Sequence, residues 1–123
     1  MPKCKNPAYK KGEIWWLNDP MEWSIATNVL HGRRPCVIIS ANQKNCTAIV
    51  APITSNTDRK LYPGQFDIML NCEQARVRCE QARVVDKKIL DPYITNLSSE
   101  EYHKLDKALI ALFNINTKQE ENK

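Results

Sequence analysis

The sequence lacks any apolar run of the roughly 20 residues that a helix needs to cross a bilayer. The N-terminal segment Met1-Pro2-Lys3-Cys4-Lys5 is basic, but no apolar stretch follows it, so a secretory leader is not expected. Both absences argue against a membrane protein and against a secreted one. We therefore expect a cytoplasmic protein with no membrane partner.

The cysteines lack the spacing of a disulfide or zinc framework. Five are present, an odd number, and no two form a Cys-x-x-Cys pair. The sequence thus predicts neither a disulfide scaffold nor a bound metal, and we expect no cofactor. We interpret the cysteines as small reduced apolar side chains in strands and loops: Cys4, Cys36, Cys46, Cys72 and Cys79.

The length of the chain, 123 residues, fits one domain, which we assign to residues 1–123. Such a domain hides roughly two-thirds of the surface that its unfolded chain exposes. Lys and Arg number 18 against 14 Asp and Glu, a formal charge of +4, which is compatible with a nucleic-acid partner without requiring one. Residues 1–11 are predicted to form a flexible arm and residues 116–123 a flexible tail.

Short apolar runs that are rich in β-branched residues and bounded by turn residues predict mainly β structure. Five strands are expected, at residues 12–17, 35–40, 47–53, 65–70 and about 77–85. Residues 18–34 show no sustained strand or helix period, which predicts a long loop of the kind that often carries function. No long crossover connection supports a parallel sheet.

One C-terminal helix is predicted from its start signals. Ser98 is placed as the N-cap, Glu101 completes a capping box, and Leu97 and Tyr102 form a hydrophobic staple. Apolar residues then recur at helical spacing and predict one face against the sheet: Tyr102, Leu105, Leu109, Leu112 and Phe113. Five strands and this helix predict a curled antiparallel sheet or small barrel that the helix caps.

Residues 72–85 contain the six-residue word Cys-Glu-Gln-Ala-Arg-Val twice, with one arginine between the copies. As a helix, the repeat would give a weak apolar stripe that ends after two copies. As strands, the copies would face opposite ways, because the period of seven is odd and side chains alternate every two residues. The copies cannot be equivalent, and we interpret the first one as a local duplication without an assigned role.

Three separated segments then resemble one family. Residues 34–40 (RPCVIIS), 48–54 (AIVAPIT) and 79–87 (CEQARVVDK), with the opening 12–15 (GEIW), are similar in order and spacing to the signature segments of the MazF/PemK toxins. The similarity extends from about Gly12 to Phe113. It implies an SH3-like small barrel of the CcdB-like type with a C-terminal helix.

The same resemblance implies an activity and its partners. Members of the family are metal-independent endoribonucleases of type II toxin-antitoxin systems. They cut single-stranded RNA at short sequences through attack of the 2′-hydroxyl, which leaves a 2′,3′-cyclic phosphate and a 5′-hydroxyl. They are usually symmetric homodimers, and each is restrained by a cognate antitoxin.

Catalytic residues follow from the positions that match the family. Arg34 occupies the place of the catalytic arginine, and its planar guanidinium suits two phosphate oxygens at once. Thr54 occupies the place of the catalytic threonine, although a threonine at a strand end is often only a turn stabiliser. The glutamate that many members carry before the arginine is missing here, so the general base is sought in Glu22 or His31. His31 is otherwise an ordinary loop residue.

Five further residues are predicted to contact RNA. Gln81 matches a groove-lining glutamine, whose amide can read a base edge, and is otherwise an exposed strand residue. Trp23 could stack a base or pack in the loop. The others supply a hydroxyl beside Thr54 or positive charge: Ser55, Arg33 and Arg83. Arg83 is part of a basic series that either follows the phosphate backbone or forms a solvated face: Arg76, Arg78, Arg83, Lys87 and Lys88.

Two alternatives to an enzyme remain open from the sequence. One is a non-enzymatic toxin of the same fold that binds a protein, like the CcdB-type gyrase inhibitors. The other is a PemK-like domain that has lost catalysis and only binds RNA or an antitoxin. Arg34 and Thr54 favour the enzyme, because neither alternative needs them.

Overall fold

A computed structural model describes residues 9–18 and 33–114. Within these ranges the elements are, in chain order, β1 (Glu13–Asn18), β2 (Arg33–Ala41), β3 (Thr47–Thr54), β4 (Gln65–Leu70), β5 (Glu73–Arg78), β6 (Arg83–Asp86), β7 (Leu90–Asn96) and α1 (Ser99–Leu112). Two short 3₁₀ turns, Cys79–Gln81 and Lys87–Ile89, flank β6. No helix in the described part of the chain is both long and apolar enough to cross a membrane.

The strands form one antiparallel sheet in the order β4-β5-β3-β2-β1-β7, with β6 paired to β3 off this path. One edge of β3 is divided between two partners: residues 47–50 pair with β6, whereas Ile53 and Thr54 pair with β5. The sheet branches at this point and curls into a half-barrel that α1 covers. The predicted fold class, mainly β structure in a curled sheet or small barrel with a C-terminal helix, is confirmed.

The sheet is buried on both faces, and β1 contributes to each. Ile14 belongs to the core cluster under α1, whereas Trp15 and Leu17 belong to the cluster on the opposite face, as strand alternation predicts. Tyr9 closes this second cluster by stacking on Trp15, with 4.3 Å between the ring centroids. The predicted flexible arm over residues 1–11 therefore does not extend to Tyr9, which is buried.

The start of α1 has the predicted capping box. The Ser98 Oγ accepts from the Glu101 backbone N–H at 3.1 Å, and the Glu101 Oε1 accepts from the Ser98 N–H at 3.0 Å. Leu105 is fully buried against the sheet. The predicted apolar face is wrong only for Phe113, which is 65% exposed because it lies beyond the last helical residue as the C-cap.

Several strand boundaries differ from the prediction. Arg33 and Arg34, expected in the long loop, lie in β2 because they pair with Asn18 and Leu17 of β1. The single strand expected at about 77–85 is wrong, since a 3₁₀ turn separates β5 from β6. The edge strand β7 was not predicted; only its first residue is buried, so it has little apolar alternation to detect.

A two-residue turn joins β4 to β5. Leu70 pairs with Glu73, and the two residues between them, Asn71 and Cys72, both have positive φ, at 53° and 65°. Positive φ at both central positions is the signature of a type I′ hairpin turn, which prefers Asn followed by Gly. Cys72 is exposed and therefore holds a strained conformation without gaining any packing in return.

We predict that Cys72→Gly stabilises the fold. Glycine adopts positive φ without a Cβ clash, and the gain should exceed its higher unfolded-state entropy by about 0.5–1 kcal/mol. Urea denaturation measures the change as a higher midpoint. Cys72→Ala, which keeps the Cβ, is the control and should leave the midpoint within about 0.5 kcal/mol of the original. A glycine variant that is less stable than the alanine variant would contradict the turn assignment.

Candidate active site

Strand pairing brings Arg34 and Thr54 to the same end of the sheet. β2 and β3 pair Cys36 with Pro52, and continuing this register by two residues sets Arg34 opposite Thr54. The Arg34 side chain is half-buried, and its Nη1 donates to the Ile53 carbonyl oxygen at 3.5 Å. Two residues that lie far apart in the sequence therefore become neighbours across adjacent strands.

Thr54 is the last residue of β3 and stabilises the turn that follows. Its Oγ1 accepts from the Asn56 backbone N–H at 3.2 Å. The turn role that we considered for this residue is thus present. It does not occupy the hydroxyl hydrogen, because the oxygen acts here as the acceptor, so the same hydroxyl can still donate to a ligand oxygen.

A cavity of about 330 Å³ lies over this end of the sheet. Both Arg34 and Thr54 line it, and two further predicted residues, Arg33 and Ser55, do so as well. We call this cavity the Arg34–Thr54 groove. Among the described residues it is lined by Trp16, Arg33, Arg34, Pro35, Ile53, Thr54, Ser55, Leu70, Asn71, Glu73, Gln74 and Ala75.

Arg33 is held at the rim of the groove by two contacts. Its Nε donates to the Asn18 Oδ1 at 2.9 Å, and its guanidinium lies 4.3 Å from the centre of the Trp16 ring. A guanidinium over an aromatic face is stabilised electrostatically and keeps its outer edge toward solvent. Arg33 therefore presents an oriented positive charge beside the groove.

Arg76 continues the cross-strand row beyond Thr54. β5 pairs Arg76 with Thr54, and β4 pairs Asp67 with Arg76. The guanidinium is buried, with its Nε donating to the Asp67 Oδ1 at 2.7 Å. Hydrogen bonding to this carboxylate raises the pKa of Arg76 above its usual value.

The remaining Arg76 nitrogens brace the chain that follows Thr54. Its Nη1 donates to the Arg59 carbonyl oxygen at 2.6 Å, and its Nη2 donates to the Thr57 carbonyl oxygen at 3.2 Å. One buried side chain thus fixes two backbone positions of the connection between β3 and β4. Arg76 is a support for this connection, and the prediction that it belongs to an exposed basic surface is wrong.

Lys87 does not belong to the predicted basic surface either, because it is also buried. It is 2% exposed, and its Nζ donates to the carbonyl oxygens of Asn42 and Asn45 at 2.9 and 2.8 Å. The ammonium thereby closes the turn between β2 and β3. Its charge is used inside the fold and is not presented to a ligand.

A second cavity of about 220 Å³ adjoins the groove and shares Thr54 with it. We call it the loop pocket, since half of its lining residues come from the β3–β4 connection. Its lining residues are Thr54, Asn56, Arg59, Lys60, Tyr62, Gln65, Arg76 and Arg78. Every charged residue in this lining is positive.

Gln81 and Arg83 do not line either cavity among the described residues. We expected Gln81 on a strand, but it lies in the 3₁₀ turn. Arg83 pairs with Val50, four residues before Thr54 on β3. Their contact with RNA stays a prediction. His31, Glu22 and Trp23 lie outside the described residues.

The first copy of the repeated word was given no role, and the structure corrects this. It forms most of β5, and its Glu73, Gln74 and Ala75 line the Arg34–Thr54 groove. Glu73 is the one carboxylate among the described lining residues. Alternation of Ala75, Val77 and Cys79 with polar residues was the available signal for this strand.

The cysteines show no reactive arrangement in the described ranges. Burial raises the pKa of the Cys36 thiol and of the Cys79 thiol to about 12, so both stay protonated and behave as apolar side chains. Cys46 is partly buried and Cys72 is exposed, and Cys4 lies outside the described residues. Within the described chain, no three His, Cys, Asp or Glu side chains cluster as metal ligands would.

Comparison with solved structures shows the fold in other proteins. An endoribonuclease from a mycobacterial species, solved in complex with its cognate antitoxin, aligns with a TM-score of 0.68 at 16% identity, over 89% of this chain and 98% of that chain. MazF from Deinococcus radiodurans gives 0.69 at 19% identity, over 86% and 96%. The Mycobacterium tuberculosis toxin MazF-mt6 gives 0.63 at 20% identity, over 83% and 98%. At these identities the likeness shows the fold alone.

No curated protein is similar enough in sequence to count as a match. The family model of the PemK-like, MazF-like toxins, however, matches residues 10–113, which include every described strand and the helix. The match also spans both Arg34 and Thr54, the pair that the strands bring together. The chain therefore belongs to the PemK-like, MazF-like toxins of type II toxin-antitoxin systems.

Proposed function

We propose that this protein is a metal-independent, sequence-specific endoribonuclease that cuts single-stranded RNA. The observation that carries the proposal is that Arg34 and Thr54, twenty positions apart in the sequence, line one groove. A positively charged groove suits the polyanionic backbone of RNA. The pair supplies a guanidinium and a hydroxyl, which can both donate to the oxygens of the reacting phosphate. Solved structures of similar fold are described as endoribonucleases, which supports the same activity.

In the proposed reaction the 2′-oxygen forms a bond to the adjacent phosphorus while the bond from phosphorus to the 5′-oxygen breaks. The 2′ proton passes to the general base, and Arg34, as the general acid, delivers a proton to the leaving 5′-oxygen. The products are a 2′,3′-cyclic phosphate and a 5′-hydroxyl. Arg34 holds the extra negative charge of the pentavalent phosphorus, and Thr54 donates its hydroxyl hydrogen to a phosphate oxygen.

Three residues are candidates for the general base. His31 and Glu22 were proposed from the sequence, and Glu73 joins them because it lines the same groove as Arg34 and Thr54. A base must come within hydrogen-bond reach of the 2′-hydroxyl, so a position in the groove is the first requirement. We assign the role to Glu73 on this ground.

The family also suggests how the toxin is controlled. We propose a homodimer that acts in the cytoplasm and is inhibited by a cognate antitoxin. A mycobacterial endoribonuclease of similar fold was solved with its cognate antitoxin, which supports this partner. In the family pattern a disordered segment of the antitoxin crosses the groove and orders as it binds.

We expect Arg34→Ala to lower the cleavage rate about 100-fold or more, because one donor to the developing charge is lost. Arg34→Lys should recover only part of the rate, since an ammonium cannot engage two oxygens in a planar fork. Mapping of 5′ ends on a long single-stranded RNA in the presence of EDTA measures the rate and locates the cuts. Lys44→Ala, the same charge change at an exposed turn, is the control. RNA that stays intact with the unaltered protein would favour a binding module or a protein-binding toxin.

Thr54→Val should lower the cleavage rate by a similar factor, whereas Thr54→Ser should keep most of it. Valine has the shape of threonine without the hydroxyl, and serine keeps the hydroxyl without the methyl group. Loss of the bond from the Asn56 N–H should cost about 1 kcal/mol of stability, which a thermal melt detects separately from activity. Equal cleavage by the valine and serine variants would remove Thr54 from the chemistry.

Glu73→Gln should lower the rate about 100-fold or more near neutral pH, because the amide cannot accept the proton. The cleavage rate is also measured for Glu22→Gln and for His31→Gln. Glu100→Gln, on the exposed start of α1, is the control. A large loss of activity in Glu22→Gln or His31→Gln, with cleavage by Glu73→Gln unchanged, would overturn the assignment to Glu73.

A further inference from the structure

The loop pocket opens beside the scissile position and not on a separate surface. Thr54 lies in the wall of the loop pocket and in the wall of the Arg34–Thr54 groove. A strand bound with its reactive phosphate at Arg34 and Thr54 would therefore pass directly into this pocket with its next nucleotide. Because the two cavities share this wall, such a nucleotide could occupy the pocket.

The loop pocket is positively charged, and only two of its four cations form ion pairs within the described residues. Arg76 is paired with Asp67, and Arg78 is paired with Glu80 at 2.8 Å. Arg59 and Lys60 are exposed and form no ion pair within the described residues. Two adjacent cations without a carboxylate partner suit a phosphate group.

The pocket is built before any ligand arrives. Arg76 holds the carbonyl oxygens of Thr57 and Arg59, and the Gln65 N–H donates to the Tyr62 carbonyl oxygen at 3.0 Å. These bonds fix the backbone on both sides of Lys60. A site whose backbone is already ordered loses less conformational entropy when a ligand binds.

Tyr62 supplies an exposed aromatic ring in the same pocket. Tyr62 is 58% exposed, although a ring of this size usually packs when a fold offers it a core. Single-stranded nucleic acids are bound by aromatic rings that stack on bases, next to cations that follow the phosphates. Arg59, Lys60 and Tyr62 reproduce this combination within four residues.

We propose that the loop pocket binds the nucleotide that adjoins the scissile linkage in the same RNA strand, with its phosphate on Arg59 and Lys60 and its base stacked on Tyr62. This inference rests on the proposed endoribonuclease activity and assigns a second part of the substrate to a second cavity. It makes the β3–β4 connection a determinant of which RNA the protein cuts. An acidic peptide segment of a partner is the competing occupant, and the experiment includes it as an outcome.

The test uses substrates of stepwise length. The cut is first mapped on a long RNA, and oligoribonucleotides that span it are then shortened by one nucleotide at a time from each end. Removing the nucleotide that occupies the pocket should lower kcat/KM of the unaltered protein about 5- to 100-fold. In the triple variant Arg59→Ala/Lys60→Ala/Tyr62→Ala the same truncation should change kcat/KM less than about 2-fold, because both contacts are already missing. Tyr62→Ala alone, or the double variant Arg59→Ala/Lys60→Ala, should reduce the cost of the truncation only in part.

Salt dependence separates the phosphate contact from the base contact. The double variant should reduce the slope of log(kcat/KM) against log[salt] by about 1, whereas Tyr62→Ala should leave the slope unchanged. The control variant Lys44→Ala/Lys107→Ala removes two exposed charges outside both cavities. It should change neither the cost of truncation in kcat/KM nor the slope against salt. Thermal midpoints close to that of the unaltered protein show that the exposed substitutions leave the fold intact.

The outcomes distinguish this inference from the proposed function. If the unaltered protein does not cut RNA, the proposed function fails. If it cuts, and truncation costs the variants as much as the unaltered protein at every position, the pocket does not bind the adjoining nucleotide and the proposed function stands. Variants that cut normally but lose affinity for a cognate antitoxin would assign the pocket to the peptide instead.

Discussion

The pairing of β3 with three different strands is the constraint on which the site depends. β3 contributes a nearly continuous buried run, Val50 to Ile53, and is paired to β2 on one edge and to β6 and β5 in turn on the other. A shift of one residue in any of these registers would turn every side chain to the opposite face and move apolar residues out of the core. The two core clusters therefore fix the register, and the register fixes Thr54 between Arg34 and Arg76.

The row that results contains two arginines with opposite functions. Arg34 is half-buried and lines the groove, where a ligand can reach it. Arg76 is buried and donates its hydrogen bonds to Asp67 and to two backbone carbonyl oxygens. A buried guanidinium is tolerated only when its hydrogen bonds are satisfied, because an unpaired buried charge is costly. Asp67 and the β3–β4 connection satisfy it, and the connection is ordered in the process. The same bonds that make Arg76 acceptable inside the fold thus shape the loop pocket.

Much of this arrangement follows from the sequence, and the exceptions have physical causes. The capping box of α1 and the pattern of β1 were predicted because adjacent residues determine them. β7 could not be predicted, since it is an edge strand that buries little and carries a proline, which edges tolerate. The family resemblance located Arg34 and Thr54. The role of Arg76 could not be predicted, because it requires Asp67 to arrive from β4.

The repeated word shows most directly where local sequence stops determining structure. In the first copy Val77 is fully buried on β5 and Gln74 lines the groove, whereas in the second copy Val84 is 62% exposed and Gln81 lies in a 3₁₀ turn. The same letters differ in structure because β3 has room for β5 only at its last two residues. The 3₁₀ turn then displaces the chain, so that β6 pairs with the first half of β3. We assigned the working role to the second copy from the resemblance; the pairing of β5 with the last two residues of β3 brings the first copy to the groove.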